Sequence, residues 1–89
     1  MKIHCLKIKS CYYEALVDGS KTFELRRNDR DFKVGDMITF CIVRDVGGLS
    51  FPTNLFLITY VLKDCPQYGL ADGYAVLGLR KPSKADYGF

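Results

Sequence analysis

Short runs of alternating apolar and polar residues, separated by turn-forming residues, limit this chain to a small and mostly β fold. The clearest of them lies between Gly19 and Asp36, where half of the eighteen residues are charged and yet regularly interleaved with apolar ones. A solvated run of charges needs no such order. Charged groups of both signs on a short strand between two turns predict a binding surface, and they favour a nucleic-acid or nucleotide ligand.

The length and composition predict one globular domain with a modest core. The chain has 89 residues, of which 48% are hydrophobic and 26% are charged, and its formal net charge is +3. This mixture excludes the disordered class of proteins. A mildly basic chain permits an anionic partner without requiring one.

The cysteines and the histidine do not have the spacing of a metal site. Cys5, Cys11, Cys41 and Cys65 stand far apart, and His4 is the only histidine, so we expect no metal and no cofactor. The first ten residues contain three lysines and no continuous apolar stretch, so they do not resemble a signal peptide. The longest apolar run, residues 55–62, is too short to span a membrane. We therefore expect a cytoplasmic protein with reduced, mostly buried cysteines.

The chain begins with a strand and a helix. Residues 3–8 alternate, with His4, Leu6 and Ile8 on one face, which predicts a first strand and a satisfied, half-buried histidine. Ser10 is the expected N-cap of a short helix, and Gly19 is its expected end. Within that helix, the side chains at helical spacing that predict a core-facing stripe are Tyr13, Leu16 and Val17.

Four further strands are predicted, at residues 22–27, 37–43, 54–62 and 74–79, with a loop at 45–52. This order indicates an α+β, mainly β fold, in which a small barrel of about five strands is capped by one short helix. We assign residues 1–80 to the domain and residues 81–89 to a polar tail that we expect to be mobile.

The second strand carries the main candidate site. Its alternation is expected to direct Phe23, Leu25 and Arg27 to the core and Thr22, Glu24 and Arg26 outward. Lys21 and Arg26 suit a phosphate, and Glu24 between them suits a base N–H or a general-base role. The alternative is a same-face cluster of ion pairs that binds no ligand.

Further candidates lie near this strand and in a later loop. Asn28, Asp29 and Arg30 have the composition of a tight turn, and Arg30 would alternatively extend the basic rim of a cleft. The candidates for stacking on a base are Tyr12, Tyr60, Tyr68 and Tyr74, with packing in the core or at its rim as the alternative. Tyr68 is the strongest of them, because it lies in an irregular loop beside a glycine.

The pattern Gly19-x-Lys21-x-x-Glu24-x-Arg26 resembles the GxKxxExR signature of ASCH domains, which are related to PUA-like barrels. The resemblance extends through Asn28-Asp29-Arg30-x-Phe32-x-Val34-Gly35-Asp36, and it covers about residues 3–79. It implies a PUA-like barrel with a cleft beside the helix, lined by the signature residues. It also implies a role with RNA or a modified nucleoside.

Some ASCH proteins are hydrolases that use a lysine, a threonine and a glutamate, and the resemblance implies this activity as an alternative. In this chain Lys21 matches the lysine, whereas Glu24 occupies the threonine position. Thr22 lies two residues earlier, and Asp64 is a carboxylate at a strand end.

We therefore predict a module that binds RNA or a nucleotide through Lys21, Glu24, Arg26, Asn28, Arg30 and Tyr68. The alternatives are a hydrolase of a modified nucleoside or RNA, with Lys21 and Glu24 as catalytic residues, and a protein-binding accessory domain.

Overall fold

A computed structural model describes residues 1–44 and 46–87. Its elements, in chain order, are β1 (Ile3–Lys9), α1 (Ser10–Asp18), β2 (Phe23–Arg27), β3 (Met37–Val43), β4 (Leu49–Ser50), β5 (Leu55–Lys63), a 3-10 helix (Pro66–Tyr68), β6 (Tyr74–Arg80) and a second 3-10 helix (Lys84–Tyr87). The five predicted strands and the helix are confirmed. The two-residue β4 lies within the predicted loop, whose first residue, Asp45, falls outside the described residues.

The strands form one curled sheet with the order β1-β3-β5-β6-β2, and β4 pairs with β3. The β1–β3 pair is parallel and the other pairs are antiparallel. The sheet curls into a half-barrel whose concave side holds the core, and α1 packs against β1 and β3. This arrangement is the predicted α+β, mainly β, barrel-like fold. The largest fully buried side chains are Phe40, Phe56, Met37, Ile38, Ile58 and Leu77.

The first strand and the helix follow their sequence pattern, except at the helix N-terminus. His4, Leu6 and Ile8 are buried, and Tyr13 and Leu16 pack in the core. Gly19 ends α1 with φ +87°, a left-handed conformation that favours glycine. The prediction that Ser10 caps the helix is wrong. The chain passes from β1 into α1 without a loop, so Lys9 occupies the N-cap position and Ser10 is already helical.

The predicted orientation of β2 is also wrong. Glu24 is 6% exposed, whereas Phe23 and Leu25 are 47% and 54% exposed. A period of two determines which residues share a face, but it does not determine which face is covered. Here the carboxylate points inward, where two cations lie beside it, and Phe23 and Leu25 are left on the exposed face.

Arginine side chains connect the two end strands of the sheet. Arg26 donates from Nη2 to the carbonyl oxygen of Lys7, and Arg30 donates from Nη1 to the carbonyl oxygen of Cys5 at 2.8 Å. In residues 1–44 and 46–87, β1 and β2 have no backbone pairing with each other. We call this side-chain-bridged gap between β1 and β2 the seam.

The described part of the tail contacts the body of the domain. Lys81 Nζ donates to the carbonyl oxygen of Val17 at 2.9 Å, and Arg80 donates two hydrogen bonds to Asp86. The mobility of the tail stays a prediction, and its last two residues, 88 and 89, fall outside the described residues. No helix in the described residues has the length and apolar character needed to cross a membrane.

Candidate ligand-binding site

The end of α1 and the start of β2 place Lys21 beside the helix. The left-handed Gly19 reverses the chain, and the backbone N–H of Lys21 donates to the carbonyl oxygen of Ala15 at 3.0 Å. This reversal brings the Lys21 side chain close to Tyr12, which lies about one helical turn before Ala15 on α1. The predicted cleft residue is therefore fixed by backbone geometry and by the side chains that surround it.

The Lys21 ammonium lies among two aromatic rings and one carboxylate. Its Nζ is 5.1 Å from the ring centroid of Tyr12, 5.2 Å from that of Phe23 and 2.6 Å from Glu24 Oε1. These distances are in the range of cation–π contacts and a charge-assisted hydrogen bond. A pocket of about 340 Å³ opens here, lined by Tyr12, Lys21, Phe23, Glu24 and Leu25. We call it the Lys21 pocket.

Glu24 holds both cations of the signature. Its second oxygen, Oε2, accepts a hydrogen bond from Arg26 Nε at 2.9 Å. Each carboxylate oxygen is thus occupied by one cation, and the three side chains together carry a net charge of +1. Lys21, Glu24 and Arg26 are brought together as a single buried to half-buried cluster.

Arg26 and Arg30 lie at the seam and line a second pocket. This pocket has a volume of about 510 Å³, and its wall includes Lys7, Arg26, Arg30, Cys41 and Phe51. The guanidinium groups of Arg26 and Arg30 both bind β1 carbonyl oxygens. These two arginines therefore have a structural role at the seam that the sequence pattern did not indicate.

The two remaining candidates are not in either pocket. Asn28 donates its backbone N–H to the carbonyl oxygen of Gly73 at 2.7 Å, and its buried Oδ1 has no hydrogen-bond partner among the described residues. Tyr68 is 86% exposed on the first 3-10 helix, and it is not among the described residues that line the two pockets.

His4 is held in the structure by a buried carboxylate. Its Nε2 lies 2.9 Å from Asp36 Oδ2, and its ring packs edge-on against Phe32. Asp36 also accepts the backbone N–H groups of Lys2 and Lys33. Burial raises the pKa of the Asp36 carboxyl, but these hydrogen bonds outweigh burial, so its pKa is lowered from the ordinary value. The prediction of a satisfied histidine is confirmed.

The residues of the hydrolase alternative are only partly brought together. Thr22 and Lys21 both line a third pocket, of about 310 Å³, at the end of α1, where the carboxylate is that of Asp18 rather than Glu24. Asp64 follows the end of β5 with φ +58°. In the ranges 1–44 and 46–87, no group of three or more His, Cys, Asp or Glu side chains is arranged to hold a metal ion.

Sequence reasoning missed the part of the Lys21 pocket formed by Phe23 and Leu25, and it ranked Tyr12 below Tyr68 as a stacking residue. Tyr12 is 49% exposed and falls outside the core-facing stripe of α1, a signal that favours it. Phe23 and Leu25 gave no such signal, because an apolar alternation on a strand normally marks the covered face.

Comparison with known proteins identifies a family whose description gives no function. Residues 3–79 match the family described as "Domain of unknown function (DUF3850)", and the chain belongs to this family. No curated protein matches the chain. The fold is similar to that in the crystal structure of hypothetical protein PH0355, with a TM-score of 0.55 and 15% sequence identity. The alignment covers 92% of this chain and 100% of that one.

Proposed function

We propose that this member of the DUF3850 family binds a nucleotide or RNA, with a base in the Lys21 pocket. One observation carries the proposal: a lysine ammonium lies between two half-exposed aromatic rings and is held there by a buried carboxylate. Aromatic rings supply stacking surfaces for bases of any sequence, and a neighbouring cation attracts the phosphate or a base carbonyl oxygen.

Each residue of the pocket has a chemical part in this proposal. The ring of Tyr12 or Phe23 stacks on the base, and Leu25 extends the apolar wall. Lys21 Nζ donates to a phosphate or carbonyl oxygen of the ligand. Glu24 has one lone pair left on each oxygen, so it accepts an N–H group from the edge of the base.

The arginines and the outlying candidates act around this pocket. Arg26 orients Glu24 from the side opposite to Lys21. Arg30 adds positive charge at the seam, where a phosphate of a longer ligand would lie. Asn28 reads a base edge only if its buried Oδ1 becomes accessible, and Tyr68 contributes only with a ligand long enough to reach the first 3-10 helix.

Two further observations support the proposal. The GxKxxExR pattern resembles that of ASCH domains, and its glutamate contacts both its lysine and its arginine. The four cysteines are free, which suits a reducing compartment, so we propose a cytoplasmic location.

The geometry favours binding over hydrolysis. A general base needs an oxygen within hydrogen-bond reach of the proton it removes. Thr22 shares a pocket with Lys21 but does not line the pocket that contains Glu24, and no hydrogen bond joins Thr22 to Glu24 among the described residues. The cluster therefore supports a role for Glu24 in positioning Lys21 and Arg26.

Isothermal titration calorimetry with AMP, GMP, CMP and UMP at low salt tests the proposal. We expect binding of at least one nucleotide, and we expect Tyr12→Ala and Lys21→Ala each to weaken it about tenfold, given the ~1–3 kcal/mol typical of one stacked base. Tyr12→Phe keeps the ring and should bind as the original chain does.

The controls separate loss of the site from loss of the fold. Lys84→Ala removes the same charge from an exposed lysine on the second 3-10 helix, and its affinity should be unchanged. Thermal unfolding of each variant should remain cooperative. Absence of binding by the original chain, or equal binding by all variants, would contradict the proposal.

A further inference from the structure

The outer face of strands β5, β6 and β2 carries an uncovered group of large apolar side chains. The pairing of the strands aligns them in rows. Tyr60 is opposite Gly78, which is opposite Phe23, and Leu62 is opposite Val76, which is opposite Leu25. A third row pairs Tyr74 with Arg27. We call these eight positions the outer aromatic face.

Most of the large side chains on this face are well exposed to solvent. Tyr60 is 64% exposed, Leu62 is 42% exposed and Tyr74 is 36% exposed, in addition to the exposed Phe23 and Leu25 described above. Exposed apolar groups that adjoin one another commonly mark an interaction site. Phe23 and Leu25 also line the Lys21 pocket, so the face and the pocket form one continuous surface.

Gly78 adds no side chain of its own between the positions of Tyr60 and Phe23. Tyr60 and Phe23 are separated by one strand, so their strands lie roughly 9–10 Å apart. The position that a Cβ on Gly78 would occupy lies 3.0 Å from the hydroxyl oxygen of Thr59 and 3.3 Å from the Cβ of Tyr60. The Thr59 hydroxyl and the base of Tyr60 therefore form the surface next to Gly78, beside the exposed Tyr60 ring.

Cations lie against the aromatic rings at both ends of β2. Lys21 Nζ lies by the Phe23 ring, and Arg27 Cζ is 5.9 Å from the centroid of the Tyr74 ring. None of the eight positions carries an acid, and Asp64 comes after the end of β5. Rings flanked by cations suit a polyanion with flat bases better than they suit an apolar protein surface.

We propose that the outer aromatic face is a stacking platform for single-stranded RNA that continues from the Lys21 pocket. This inference rests on the proposed function and extends it from one base to several. One base occupies the Lys21 pocket, the next stacks on the exposed ring of Tyr60, and Arg27 binds a phosphate. The platform tolerates any base, because stacking depends on the flat face of the ring.

The test compares 5′-labelled oligouridylates of two, four and eight nucleotides by fluorescence anisotropy, with UMP measured by calorimetry. We expect affinity to rise with length. Tyr60→Ala should weaken binding of the four- and eight-nucleotide RNAs about tenfold and leave UMP binding unchanged. Tyr60→Phe should behave as the original chain does. Lys21→Ala should weaken both UMP and the longer RNAs.

Each other outcome would overturn either the platform, the Lys21 pocket or both. Length-independent affinity, or an effect of Tyr60→Ala as small as that of Tyr60→Phe, would overturn the platform and leave the pocket intact. Loss of RNA binding in Tyr60→Ala but not in Lys21→Ala would keep the platform and overturn the pocket. Absence of any binding, with a dimer in sedimentation velocity that Tyr60→Ala dissociates, would overturn both and identify the face as a self-association surface.

Discussion

The Glu24 carboxylate is the buried charge on which the site depends. It is 6% exposed and is held by Lys21 on one oxygen and by Arg26 on the other. Removing the negative charge would leave two cations close together with no counterion, and a buried charge without its partner is costly. The two cations are only partly buried, so solvent screens their charges and lowers the free-energy cost of losing the carboxylate.

Glu24→Gln should therefore reduce the free energy of unfolding by about 1–3 kcal/mol. It should also weaken nucleotide binding, because Lys21 loses the group that positions it. Urea denaturation measures the first effect and calorimetry the second. Glu14→Gln, at an exposed position of α1, is the matched control and should change neither. Equal stability of the two variants would show that Glu24 does not hold the cluster.

The Asp36 carboxyl should make stability depend on pH in the acid range. Its pKa is lowered in the folded protein, so its contribution is complete above the ordinary value of 3.8 and is lost as the pH falls through the lowered pKa. The difference in unfolding free energy between the original chain and Asp36→Asn should therefore shrink as the pH falls below about 4. Urea titrations from pH 7 to pH 2.5 measure it, and a difference that grows toward acid would contradict this assignment.

At the scale of elements, the seam shows how side chains can connect the two end strands of a small sheet. Uncovered edges of a sheet are open to pairing with other chains. Here Arg26 and Arg30 bind the carbonyl oxygens of Lys7 and Cys5, so side chains take the place of a strand-to-strand ladder. Variants at Arg26 and Arg30 would disturb this closure, which makes Tyr12 and Lys21 the better positions for testing ligand binding.

Arg30→Ala should loosen β1. A hydrogen bond from a charged donor contributes about 1.5 kcal/mol or more, so amide hydrogen exchange along residues 3–9 should accelerate about tenfold. Arg44→Ala removes an exposed arginine that bonds only to Ser50 among the described residues, and it should leave exchange in β1 unchanged. If both variants give the same exchange in β1, the arginine bridge does not hold the strand.

At the scale of the whole molecule, the half-barrel divides the four free cysteines into two classes. Cys5 and Cys11 are exposed, whereas Cys41 and Cys65 are 4% and 8% exposed. The expectation of mostly buried cysteines was therefore right for only two of them.

A thiol reagent such as DTNB should modify two cysteines rapidly in the native protein and the other two only after unfolding in denaturant, because buried thiols are inert. Rapid reaction of all four would contradict the placement of β3 inside the sheet. The variants Cys5→Ser and Cys11→Ser should each remove one rapid equivalent, which assigns the two reactive positions.

The parts of the fold that sequence predicted are those that local patterns determine. The alternation of His4, Leu6 and Ile8 and the left-handed Gly19 needed no distant partner, and the same is true of all five predicted strands. The orientation of β2 depends instead on which neighbours cover it. An alternation with a period of two shows which residues share a face, but it looks the same whichever face is buried. The seam could not be predicted because Arg30 meets Cys5 across 25 residues of chain. The contact of Lys21 with Glu24 spans only three residues, and it was foreseen only in the alternative of an ion-pair cluster.

The central claim is that β2 presents a pocket for a base beside Lys21. Nuclear magnetic resonance of the ¹⁵N-labelled protein, titrated with a four-nucleotide oligouridylate, tests it most directly. We predict that the largest shifts of backbone amide signals fall on Tyr12, Lys21, Phe23 and Leu25, and that they saturate together. Shifts that are absent at high RNA concentration, or that fall only on residues remote from β2 and the start of α1, would contradict the account.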